Sequence, residues 1–142
     1  MLVWRLEFAD GKGAYSNRWE WPDGDRPRFL RDIYWSGDGE DPHPSPFEDG
    51  LGGYTRPEEF FGFVNPEQAL AWFYRDGAED ARRYASKDMR IVLFEVKAKH
   101  VRKGNRQCVF VRHKAREVAF WEPRAFLDFF QPSVSKLGPW VV

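Results

Sequence analysis

From Leu2 to Phe8 the side chains alternate, with Leu2, Trp4, Leu6 and Phe8 on one face and Val3, Arg5 and Glu7 on the other. That is the period of a half-buried strand. Ala9-Asp10-Gly11-Lys12-Gly13 then reads as a turn. Tyr15 to Tyr54 is rich in Pro, Gly, Asp and Trp, and only Arg26 to Trp35 offers a short helix. Loops of this length in a compact domain are usually functional or disordered, and the interspersed aromatic residues predict a flap that packs down. The pattern next writes a strand over 60 to 64 and an amphipathic helix over about 66 to 75. Asn65 is placed to cap that helix, Pro66 to open it, and Gln68 to reach back to the Asn65 amide.

Gly77 ends this helix, and 78 to 86 reads as a second short one. Strands follow at 90 to 96, 107 to 112 and 115 to 121, with a connector over 97 to 105 that turns at Lys103-Gly104-Asn105. Glu122-Pro123 opens a terminal helix to Phe130, and 131 to 142 reads as an extended tail. The order predicts one α+β domain over 1–142, with a mixed or mostly antiparallel sheet and two or three short helices. A chain of 142 residues suits one domain and not two.

Composition adds an aromatic content of 18%, with seven Trp and thirteen Phe, enough for a core and for an aromatic-lined cleft. No apolar run reaches the roughly 18 residues that span a bilayer. The N-terminus lacks the order of a secretion signal, so a cytoplasmic protein is expected. Cys108, the single cysteine, lies in an apolar run and reads as a buried small hydrophobe.

Net charge is zero, but residues 7 to 67 carry fourteen acids against six Lys and Arg, and residues 87 to 116 carry ten Lys and Arg against two acids. Either the two stretches neutralise each other, or the basic one presents a patch to an anionic ligand.

His43, His100 and His113 have no metal-ligand spacing, so no metal site is expected. No phosphate-cradling glycine loop, nucleophile elbow or kinase signature occurs. Arg5, inside an otherwise apolar strand, needs a partner: a phosphate or carboxylate ligand, or one of Glu7, Glu95 and Glu117.

The run from Val3-Trp4-Arg5-Leu6-Glu7 through Phe61-Gly62-Phe63 and Ala69-Leu70-Ala71-Trp72-Phe73 to Leu93-Phe94-Glu95-Val96 and Gln107-Cys108-Val109-Phe110 resembles a group of small bacteriophage and prophage proteins. It is also similar, more distantly, to the ADP-ribosyltransferase-like fold. There a first-strand Arg or His, a middle-strand aromatic or Ser followed by a helix, and a late-strand Glu or Gln surround the nicotinamide dinucleotide. The resemblance implies NAD as ligand, Arg5 on its phosphate or ribose, Tyr15 and Phe61 near nicotinamide, Asn65 at the adjoining helix start, and Gln107 at the late-strand position. Gln107 offers an amide where transfer through an oxocarbenium-like state is usually aided by a carboxylate, a part that Glu117 or Glu95 would have to supply. Two other readings stand beside it. One is a non-catalytic phage accessory or anti-defence protein that binds and inhibits a host protein. The other is a nucleic-acid-binding module using the basic 97 to 116 region.

Overall fold

The computed structural model describes residues 1–14, 48–52 and 55–131. The helix expected at 26 to 35, most of the flap, and the tail from 132 lie outside the described residues. In chain order the elements are β1 (Leu2–Glu7), β2 (Glu59–Gly62), α1 (Pro66–Phe73), α2 (Ala78–Ala85), β3 (Arg90–Glu95), β4 (Val101–Lys103), β5 (Cys108–Val111), β6 (Arg116–Trp121) and α3 (Pro123–Phe130). Two 3-10 turns, Ala98–His100 and Arg112–Lys114, precede β4 and follow β5.

The fold is α+β, and its strands pair antiparallel in two three-stranded sheets, β1-β3-β6 and β2-β5-β4. A bridge between Trp4 and Phe63 joins them, with reciprocal backbone hydrogen bonds of 2.8 Å. Gly62 makes this approach possible, because a Cβ there would lie 2.5 Å from Val3 Cγ1 and 3.0 Å from the Trp4 carbonyl oxygen.

The alternation in β1 is real, but the strand is not half buried. Val3, Arg5 and Glu7 are 0, 3 and 1% exposed, because the second sheet covers the face that an isolated strand would give to water. The connector expected over 97 to 105 also needs correction, since it contains β4. Val101-Arg102-Lys103 is a short edge strand with two cations, so no apolar period marks it.

Apolar side chains form two clusters. The larger lies between the first sheet and the helices, and joins Trp4, Leu6, Phe63, Trp72, Phe73, Tyr84, Ile91 and Phe126 among others. The smaller lies between the sheets and joins Val3, Val92, Phe94, Val96, Cys108 and Phe110. Burying each large apolar side chain contributes about 1.5–3 kcal/mol. Two buried hydroxyls tie the helices together: Tyr74 donates to the Pro123 carbonyl at 2.9 Å, and Tyr84 donates to that of Phe73.

Asn65 caps α1 as the pattern requires, its Oδ1 accepting from the Gln68 amide at 2.8 Å. Gln68 does not complete the expected reciprocal bond. Its Oε1 accepts from the Val64 amide at 3.2 Å, and its Nε2 donates to the Asn105 carbonyl at 3.3 Å. The side chain therefore joins the helix start to the β4–β5 turn.

Candidate functional site

Where β1, β2 and the start of β5 meet, Arg5, Leu6, Ala14, Phe61, Phe63, Phe73 and Gln107 line a shallow concavity. About 260 Å³ of space lies between its walls, counting open solvent. The enclosed part has room for about one water. Three residues from distant parts of the sequence, Arg5, Phe61 and Gln107, share this lining.

Arg5 is fixed from several directions. Its Nε donates to Glu7 Oε2 at 2.9 Å, one terminal nitrogen donates to the Phe61 carbonyl at 2.8 Å, and the other lies 3.4 Å from the Gly11 carbonyl. Glu7 also accepts from Arg112, at 2.9 Å on Oε1 and 3.2 Å on Oε2. One buried carboxylate therefore serves two guanidinium groups beside the concavity. The guanidinium carbons of Arg5 and Arg112 lie 5.0 and 6.0 Å from the centre of the Phe60 ring.

The Asp10–Gly13 turn completes this packing. Gly11 has φ +86°, and a Cβ on Gly13 would lie 2.5 Å from a terminal nitrogen of Arg5. The turn glycines thus serve close approach to the arginines as well as chain reversal.

Gln107 is held through its backbone. The Asp49 carboxylate accepts from the Arg106 amide at 2.9 Å and from the Gln107 amide at 3.0 Å, while the Asp49 carbonyl accepts from Asn105 at 2.9 Å. Gly104 leaves room for that carboxylate. Arg102 makes a second clasp, donating to both carboxylate oxygens of Glu59 at 2.7 and 2.9 Å and to the Leu51 carbonyl. Burial pushes the Glu59 carboxyl up, but its bonds to Arg102 and the Arg56 amide, with both arginine charges, outweigh that and hold it below its ordinary value of 4.5.

The remaining candidates fall elsewhere. Glu117 lies on β6, exposed and 3.3 Å from Arg90, and does not line the concavity. Glu95 pairs with Arg116 at 2.9 Å. Asn65 uses its Oδ1 on the helix cap and is not part of the lining. Tyr15 lies outside the described residues. The local pattern around Glu48-Asp49 and Glu58-Glu59 reads as solvated charge, but Asp49 and Glu59 are buried, and Asp49, like Arg112, finds its partner far along the chain. No group of three His, Cys, Asp and Glu side chains that could hold a metal occurs among the described residues.

The basic stretch divides in two. Arg102, Arg112 and Arg116 pair with Glu59, Glu7 and Glu95. Lys97, Lys99, His100, His113 and Lys114 gather on and beside the two 3-10 turns, and no ion pair among the described residues neutralises them. Partial desolvation, then the charges of Lys99, Lys114, Lys97 and His113, lower the pKa of His100 below its ordinary 6.5.

No helix among the described residues is long and apolar enough to cross a membrane. No curated protein and no solved structure matches the chain. Residues 1–124 match the family described as Bacteriophage T4 Y00F protein, and the chain belongs to that family.

Proposed function

We propose that the concavity between β1, β2 and β5 is the floor of a nucleotide cleft, and that the protein is an ADP-ribosyltransferase-like phage protein that binds NAD or a related nucleotide and acts on a macromolecular target. The convergence of Arg5, Phe61 and Gln107 on one lining carries this reading. These are the first-strand cation, the middle-strand aromatic ahead of a helix, and the late-strand amide that the resemblance asks for, and they come from three neighbouring elements. Arg5 brings a guanidinium to the lining, a group suited to a phosphate, and Phe61 brings an aromatic ring to it.

The side chains fit such a ligand in chemistry, whereas the enclosed space has room for about one water and does not hold a nicotinamide ring. Binding therefore requires the concavity to widen. Gln107 cannot supply a negative charge, and Glu117 stands on another strand, so no catalytic step is assigned to either. Calorimetric titration of NAD into the wild type and a Phe61→Ala variant tests the proposal.

The same small volume favours a second reading, a non-catalytic accessory protein that binds and inhibits a host protein. Phe129 and Phe120, 69 and 53% exposed, would then be available to a partner. This reading predicts no response to NAD.

A further inference from the structure

Pairing of β4 with β5 places the two 3-10 turns at one end of the second sheet. Ala98–His100 leads directly into Val101, Arg112–Lys114 follows directly on Val111, and Val101 pairs with Phe110. Lys97, Lys99, His113 and Lys114 are exposed there and His100 is half-buried. The neighbouring arginines are already committed, Arg102 to Glu59 and Arg112 to Glu7. The cluster thus keeps its charge while the surrounding cations lose theirs to internal partners.

We propose that this end of the sheet is a phosphate-binding surface that engages the backbone of a nucleic acid. Lysine ammonium groups are mobile point charges that follow phosphates along a strand, without the fixed fork geometry of arginine. Protein–protein interfaces are depleted in Lys and enriched in aromatics and Arg. This cluster is lysine and histidine with no Phe, Tyr or Trp among its five members. A surface that lies on a membrane places large apolar side chains beside its cations. The turns themselves offer Ala98 alone. Contacts of this kind read the backbone and not the sequence. The inference rests on the turns alone and does not depend on the nucleotide cleft.

The test uses the full chain without NAD, titrated into fluorescein-labelled DNA of about 20 nucleotides, single- and double-stranded, and followed by fluorescence anisotropy. Binding is expected at about 50 mM salt. If three phosphates are neutralised on duplex, affinity falls about fortyfold by about 200 mM. A Lys97→Glu, Lys99→Glu, Lys114→Glu variant changes exposed side chains for which no partner is seen, so its circular dichroism should match the wild type. It is expected to lose at least about tenfold in affinity at low salt. Absence of binding by the wild type at low salt overturns the proposal, as does a variant that folds and binds equally well. Displacement of the DNA by polyglutamate as readily as by unlabelled DNA would overturn it in favour of an acidic protein partner.

Discussion

Arg5 and Glu7 stand two residues apart on the same face of β1 and pair inside the protein, Nε to Oε2 at 2.9 Å, at 3 and 1% exposure. An arginine in an apolar strand thereby finds a partner within its own strand, and Arg112 shares the same carboxylate. Removing the charge of Glu7 would take from both guanidinium groups the buried anion that they share. Glu7→Gln should therefore cost about 3–5 kcal/mol in urea denaturation, whereas Glu67→Gln on the exposed face of α1 should stay within about 0.5 kcal/mol. Equal losses in the two variants would mean that the trio is not held by charge.

Gly13 offers a gentler way to disturb the same group. Its missing Cβ is the space that a terminal nitrogen of Arg5 occupies, 2.5 Å from where that carbon would lie. Gly13→Ala should displace the guanidinium and destabilise by about 1–3 kcal/mol. A crystal structure of the variant with Arg5 unmoved, or unchanged stability, would contradict this packing.

The Glu59–Arg102 clasp predicts a pH effect of definite sign. The folded-state pKa of Glu59 lies below the ordinary 4.5, so the unfolded state binds more protons in that window. The contribution is complete above about 4.5 and is lost as pH falls through the folded value. Asp80 works in the opposite sense, since burial, with the charges of Asp76 and Glu79, outweighs its bond from the Asp76 amide and the charge of Arg83 and holds its carboxyl above the ordinary 3.8, so its contribution falls as pH rises. Urea midpoints compared between wild type and Glu59→Gln isolate the first term. The gap between the two curves should close on acidification, and parallel curves would contradict the clasp.

Cys108 is fully buried, and burial pushes its thiol up to about 12. Labelling by a disulfide reagent at neutral pH should be on the order of a thousandfold slower in the native protein than in urea, because reaction waits for opening. Native labelling at the unfolded rate would show that β5 is not packed as described.

Much of this was legible in local sequence. Asn65-Pro66 with Gln68 gave the start of α1 because a cap needs only residues within one turn, and the alternation of β1 and the apolar run of β3 marked strands in the same way. The α+β class followed from their order. Less local facts were not readable. Glu7 meets Arg112 across 105 positions, and Asp49 meets Gln107 across 58, through strand pairings and a close approach at Gly62 that no short window encodes. Val101-Arg102-Lys103 escaped notice because an exposed edge strand needs no apolar period. At the site, Arg5 stands out as a cation in an apolar strand, Phe61 and Gln107 are indicated by the resemblance, and the fold sets all three on one lining. Glu117 lies elsewhere because β6 is separated from β1 by β3 in the first sheet.

The most direct measurement of the central claim is calorimetric titration of NAD into the purified chain and into Phe61→Ala, which keeps the backbone carbonyl that holds Arg5. The account predicts saturable one-site binding with Kd below about 1 mM, weakened at least about tenfold in the variant. No binding heat at millimolar NAD, or equal binding by both proteins, would contradict a nucleotide cleft between β1, β2 and β5, and absence of binding would turn the reading to a non-catalytic partner of a host protein.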